Sequence, residues 1–430
     1  MRRGAVTGGM AVCLVCAVAC CAGSGAAAAE PLVVGYVNYL RVGHTNSIPA
    51  LNYDAVDVVV HGFLEPLTNG TVVPLDDFAE YRAGLIAETH GQGKRILVSV
   101  GGALPARLRD QFAAIAASES LRAAFASNIV CELNAWGYDG VDIDYEFPST
   151  PQEKADFTDL MRALYAAVKT NDPAHLVLFG ASTGYWIDQY EWDELAACSD
   201  FSFYYGYEWR NPAHGPITNP GEIQWTLGGH QIEASVRGAL LFMSNGGYPL
   251  EKIVVGLPFY TSNYRSWYEV RDDWATNAGD WTVHADYLEV ERSGDWWTCP
   301  EAIDRKMSAL LEPGSSVLGG ATVGGVGFWE FGHEDPAEPD LSETIRLWKS
   351  LRRLRIQGIE TAEGGSQAVC WWPGERGLRY AVQTSGSLRG WSDLAGGLVT
   401  TGGLVRVTNG IPGTSVFYRV TGSLDFPAFP

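Results

Sequence analysis

Residues 138–147 read Tyr138-Asp139-Gly140-Val141-Asp142-Ile143-Asp144-Tyr145-Glu146-Phe147, a short strand-like run carrying four acidic residues. An unpaired carboxylate moved out of water is costly enough that it usually takes up a proton. Side chains alternate along a strand, so Asp142, Asp144 and Glu146 point one way and Val141, Ile143 and Tyr145 the other. Three carboxylates on the inward face of a strand destabilise a core unless they are used. Shared protons, shifted pKa values and catalysis are the reading they support.

Working outward, short apolar, β-branched runs recur with helical stretches between them, as in a parallel sheet buried on both faces. The expected strands are Leu32 to Asn38, Val56 to Leu64, Arg95 to Gly101, Gly140 to Tyr145, Leu176 to Ala181, Phe201 to Tyr207, Lys252 to Pro258 and Gly325 to Phe331. Ser149-Thr150-Pro151 opens a helix over Gln152 to Lys169, and Pro300 opens one over Glu301 to Leu311. The expected fold class is α/β: a TIM (β/α)8 barrel with a small C-terminal all-β module. In such barrels the C-terminal ends of the strands face the active site, where Asp142, Asp144 and Glu146 run out.

The length, 430 residues, suits one barrel plus something smaller. Arg2 and Arg3, an apolar run from Ala5 to Ala22 and the small residues Gly23 to Ala29 make the three zones of a secretory signal, with cleavage expected after Ala29. The protein is then secreted or periplasmic; acylation at Cys20 or Cys21, giving a lipid anchor, is the competing reading. The remaining cysteines, Cys131, Cys198, Cys299 and Cys370, lack the close spacing of a metal or redox motif, and Cys131 and Cys198 fall on helical stretches. No metal or cofactor is expected. The formal net charge of −20 argues against nucleic acid or an anionic membrane surface as partner. Fifteen tryptophans offer flat faces for sugar rings or packing for the core.

Two regions lie outside the β/α alternation. Ser262 to Trp297 is long for a βα loop and contains Trp267, Tyr268, Trp274, Trp281, Tyr287, Trp296 and Trp297. It reads as one wall of a groove, with a hairpin around Trp281 to Val290, or as a flap packed on its own aromatics. The expected domains are the signal peptide over 1–29, the catalytic barrel over 30–356, a linker over 357–367 and a β-rich accessory module over 368–430. Strands in the module are expected at Leu378 to Thr384, Leu404 to Val407 and Val416 to Val420. Its Tyr380 to Gln383, Trp391 to Leu394 and Phe417 to Val420 resemble small β-modules on secreted bacterial proteins, which implies sugar binding or a spacer or anchoring role.

Chemically, Glu146 at the mouth can donate a proton to a leaving oxygen while Asp144 carries compensating charge. The two-carboxylate glycosidase schemes place carboxyl groups on either side of the scissile bond, whereas these lie on one strand. A substrate with its own nucleophile, a 2-acetamido group, resolves this. The chain here resembles glycoside hydrolase family 18, whose signature Asp-Gly-x-Asp-x-Asp-x-Glu is matched by Asp139 to Glu146. The resemblance extends through Gly35-Tyr36, Gly62-Phe63, Ser99-Val100-Gly101-Gly102, Asp200 to Glu208, Gly256 to Tyr260 and Gly327 to Glu330. It implies Glu146 as general acid and then base, and Asp144 as the group that orients the acetamido and stabilises an oxazolinium ion. It also implies Asp142 as the proton-sharing partner, and Tyr207 as donor to the acetamido carbonyl. Substrate contacts are implied for Tyr36, Phe63, Gly102, Tyr205, Glu208, Tyr260 and Trp329, with Trp329 as the floor under the sugar. Tyr36 and Ser99 would support the buried aspartates and Asp139 a turn.

This chain departs from the family pattern in three places. Glu208 stands where the sixth strand usually ends in aspartate, Ala103 where a tryptophan often follows Ser-x-Gly-Gly, and Thr261-Ser262 where Gly-Arg is frequent. All three touch substrate binding and spare the acid machinery. The partner implied is a polysaccharide or glycan containing N-acetylglucosamine. The expected activity is a secreted retaining chitinase; alternatives are an N-glycan- or peptidoglycan-directed hydrolase, and a non-catalytic lectin.

Overall fold

The computed structural model describes residues 30–38, 51–75, 78–103, 105–182, 184–209, 213–219, 224–227, 229–277, 280–334, 340–354, 358–362, 367–376, 378–385, 392–399, 403–410 and 417–424. The expected leader over 1–29, including Cys20 and Cys21, lies outside them, as do Trp391 and Val416. The chain divides into two compact units, Glu30–Arg346 and Leu347–Phe429.

In the first unit eight parallel strands close on themselves. They are β1 (Leu32–Asn38), β2 (Val58–Pro66), β3 (Arg95–Gly101), β4 (Gly140–Asp144), β5 (Leu176–Ala181), β6 (Phe201–Tyr204), β7 (Ile253–Pro258) and β8 (Gly325–Trp329). Each pairs with its neighbour in sequence and β8 returns to β1, the closed (β/α)8 topology expected from the alternation. Their inward residues, among them Val34, Tyr36, Val58, Val60, Leu97, Leu178, Phe203 and Val254, pack into one buried cluster. This is a filled barrel in which the β4 aspartates occupy positions that elsewhere hold hydrocarbon.

Helices form where the capping residues place them. The Thr150 hydroxyl accepts from Glu153 N at 3.1 Å and Pro151 supplies the first turn of Pro151–Asn171. Ser118 caps Glu119–Trp136, which Gly137 ends at φ 81° in the left-handed region that glycine adopts without steric cost. Cys131 lies on this helix, while Cys198 caps the C-terminus of Trp192–Ala197; Cys131, Cys198 and Cys299 are not in disulfides.

β6 is shorter than the expected Phe201 to Tyr207. Tyr205 N still donates to Ala181 O at 3.0 Å, but Glu208 adopts φ 62° and the chain turns out of the sheet. The insertion after β7 holds a helix, Trp267–Asn277, and three short antiparallel strands at Thr282–His284, Glu289–Arg292 and Asp295–Trp297, one more than a hairpin.

The second unit contains two three-stranded antiparallel sheets, around a core of Leu347, Trp372, Leu378, Tyr380 and Val382. The expected linker over 357–367 needs correction. Gly358–Ala362 is a strand paired antiparallel with residues 367–371. Ile359 and Thr361 are β-branched and favour extended backbone, and the polar residues around them disguised this. Strands at Gln367–Gly374 and Ser392–Val399 were also missed. Among the described residues no helix is long and apolar enough to cross a membrane.

Candidate active site

The tight packing of β3 against β4 sets the carboxylates in place. Ser99 lies level with Asp142 and Gly101 level with Asp144. Gly101 has φ 118°, and a Cβ there would strike the Asp144 carbonyl, so this approach requires glycine. Gly102 N then donates to Asp144 O at 2.9 Å, extending the ladder to the strand end. Gly102 therefore supports the β4 backbone, and a Cβ on it would lie 3.4 Å from the Phe63 ring.

Asp142 is deepest and fully buried; its Oδ2 accepts from Ser99 Oγ at 2.7 Å and from Tyr36 OH at 3.1 Å. Burial pushes its carboxyl above the ordinary range, against the pull of those two donors. Asp144, one layer up, accepts at Oδ1 from the Tyr205 hydroxyl. Burial first and the Asp142 charge second push it up, and the Tyr205 hydroxyl opposes them. Glu146 is partly exposed at the mouth. Burial, then the charges of Asp144 and Glu208, raise it well above an ordinary glutamate. A group so shifted keeps its proton toward neutral pH, which a general acid requires.

Aromatic rings enclose these carboxylates. The Trp329 ring lies 5.7 Å from Phe63, nearly parallel at 22°, and 5.4 Å from Tyr36, making a flat apolar face. Tyr207 is buried 5.8 Å from Tyr205 and 5.9 Å from Tyr260. Tyr260 OH donates to Glu208 Oε1 at 2.7 Å. The β4 carboxylates, Tyr36, Phe63, Tyr205, Tyr207, Glu208, Tyr260 and Trp329 thus gather at one end of the barrel. Asp139 stands apart: its Oδ2 accepts from Ile96 N at 2.8 Å and lies 2.9 Å from His90 Nε2, a structural tie.

Other neighbours escaped sequence reasoning. His214 Nδ1 accepts from Glu208 N at 3.3 Å, and His214 packs edge-on to Tyr260 at 5.2 Å. His333 stacks on Tyr260 at 5.0 Å, and exposed Tyr264 stacks on it at 6.0 Å. Nothing around these residues in sequence marks them, because each is recruited through Tyr260. Within the insertion the flap reading holds for three of its rings. Trp267, Trp281 and Trp297 are buried against one another, Trp267 and Trp297 at 4.4 Å, so these rings build the flap and are not free to stack on sugar. The side chain of Trp274 lies outside the described residues.

The model of glycosyl hydrolases family 18 matches residues 32–333. The chain belongs to that family. Over 324 residues it is 24% identical to chitinase 1 of Aphanocladium album, covering 63% of this chain and 74% of that protein. Alignments with three further curated relatives span 26%, 46% and 62% of those proteins. A class V chitinase mutant from Nicotiana tobaccum, solved in complex with NAG4, shares the fold with a TM-score of 0.61 at 14% identity, covering 74% of this chain and 99% of that one. So does a chitinase-like agglutinin from Robinia pseudoacacia, with a TM-score of 0.59 at 19% identity over 73% of this chain and 98% of that one.

Proposed function

We propose that this family 18 protein hydrolyses β-1,4-linked N-acetylglucosamine polymers with retention, using the substrate's 2-acetamido group as nucleophile. The observation that carries this reading is the layered set of Asp142 and Asp144 on β4 with Glu146 two residues past its end, all three carboxyls raised by burial and the upper two raised further by the charge of the carboxylate below. In the first step the acetamido carbonyl oxygen attacks the anomeric carbon. The bond to the leaving oxygen breaks, and that oxygen takes the Glu146 proton. Asp144 holds the acetamido N–H and balances the positive oxazolinium, with Asp142 taking up charge beneath it. In the second step the Glu146 carboxylate removes a proton from water, which opens the oxazolinium at the anomeric carbon. Tyr207 directs its hydroxyl to the acetamido carbonyl, and Trp329 supports the sugar face.

The test is Glu146→Gln on a defined chitooligosaccharide. Loss of general acid–base catalysis lowers kcat by about 10²–10⁴-fold, while oligosaccharide binding by calorimetry persists; an unimpaired variant overturns the reading. This outcome also separates an enzyme from a lectin on the same fold, since steady turnover by the parent chain excludes a purely binding protein.

Exposed Ala103 leaves the mouth without one aromatic platform, which favours a second reading, an N-glycan or peptidoglycan substrate with the same chemistry. Parallel incubation with a chitooligosaccharide, a high-mannose glycopeptide and a peptidoglycan fragment decides between them by the product masses. Export through the N-terminal leader completes the proposal; N-terminal sequencing of the protein recovered outside the cytoplasm should begin at or next to Glu30.

A further inference from the structure

The Tyr205 hydroxyl reaches Asp144 Oδ1 through a space that exists because residue 180 is glycine. A Cβ on Gly180 would collide with that hydroxyl, and would lie 2.8 Å from Tyr205 Cζ and 2.9 Å from Asp144 Oδ1. Gly180 is on β5, Tyr205 directly follows β6 and Asp144 ends β4, so three consecutive barrel strands converge on one atom. The glycine is there for room and not for backbone conformation, because its φ lies outside the left-handed region. The two aspartates also divide the available donors. Tyr36 and Ser99 from β1 and β3 serve Asp142 Oδ2, and Tyr205 from the far side serves Asp144 Oδ1.

The geometry points to Gly180 and Tyr205 as a positioning pair that clamps the Asp144 carboxylate in place and favours its charged form. This rests on the proposed function, in which Asp144 must be ionised and correctly placed when the oxazolinium develops. The groups facing Asp144 are Asp142 below it, Glu146 above it, Tyr36 on β1, Tyr190 beyond β5, and Tyr205 and Tyr207 beyond β6. The neighbouring carboxylates disfavour its charge when ionised. Removing the Tyr205 donor therefore leaves Asp144 protonated to higher pH.

Tyr205→Phe and Gly180→Ala, made separately and together in the full chain, test this from two sides. One removes the hydroxyl; the other displaces it and leaves it in the protein. Each should lower kcat by about 10-fold, the scale of one hydrogen bond to a charged group, with KM within about twofold. Each should also move the acidic limb of the kcat profile to higher pH, and the double variant should fall little further than either single one. An activity-independent readout is the ¹³C titration of aspartate side-chain carboxyls in the free protein, with Asp144 assigned by Asp144→Asn. Its midpoint should rise in both variants. An unchanged titration and pH profile overturn the inference. Should the parent chain cleave no oligosaccharide, the proposed function fails while the titration still decides the clamp. Should Gly180→Ala fail to fold, Tyr205→Phe, which keeps the ring, decides alone.

Discussion

At the scale of single residues, Glu208 has the most informative position. It is exposed, adopts φ 62° and accepts from Tyr260 OH, and its charge helps to raise Glu146. Glu208→Gln keeps an acceptor for Tyr260 and removes that charge. The Glu146 pKa then falls, and because the acid form of Glu146 is the active one, the basic limb of the kcat profile moves to lower pH. The shift is expected to be small at low ionic strength and smaller still in salt, since solvent screens an exposed charge; a pH-rate profile at two salt concentrations checks it. The β4 carboxylates were legible in the sequence because alternation along a strand is a local rule that places Asp142 and Asp144 on one face, with Glu146 following two residues past the strand end. The Tyr205 contact was not legible, since it depends on the absence of a side chain at Gly180 on another strand. His214 was hidden for a similar reason: its place beside Glu208 is set by the insertion that packs behind it.

At the scale of elements, one buried ion pair fixes that insertion. Lys306 Nζ lies 2.9 Å from Glu289 Oε1 and donates to Gly215 O at 2.9 Å and Thr298 Oγ1 at 3.0 Å. Glu289 in turn accepts from His214 N at 2.9 Å and Gly215 N at 2.7 Å. Both charged groups are fully buried, so their satisfaction holds the segment at residues 213–215 against the strand Glu289–Arg292 and the helix Pro300–Leu311. Lys306→Met removes the cation and leaves Glu289 buried without it, at a cost of about 3–5 kcal/mol. Chemical denaturation should show that loss. Lys306→Met with Glu289→Gln should recover part of it, which would distinguish an uncompensated charge from poor packing. Element positions in the barrel were legible to within a few residues because buried parallel strands are continuous apolar runs. Of the flap only the hairpin around Trp281 to Val290 was legible; the helix Trp267–Asn277 and the third strand were not, because the rings there face each other and leave no regular alternation in the sequence.

At the scale of the whole molecule, the barrel was legible because eight apolar runs spaced by helices leave few other closed topologies. The second unit was harder to read: Gly358–Ala362 lies in polar sequence and, among the described residues, pairs with Gln367–Gly374. The carboxylates within the first unit carry a further consequence for stability. Burial raises Asp142, Asp144 and Glu146 above their values in the unfolded chain, so the folded state binds protons more tightly. What these groups contribute to stability is present below the ordinary carboxylate range near pH 4 and is lost as pH rises through the raised folded-state values. Asp142→Asn eliminates the deepest titrating group while keeping an oxygen for Tyr36 and Ser99 to donate to. The barrel of this variant should therefore unfold at about the same temperature as the parent near pH 4, and at a temperature several degrees higher by pH 8, with turnover strongly reduced. Thermal melts of both proteins across that range check the sign. A variant that falls further below the parent as pH rises would mean that the Asp142 charge stabilises the fold, whereas an advantage over the parent that widens with pH would mean that the site is held at the expense of stability.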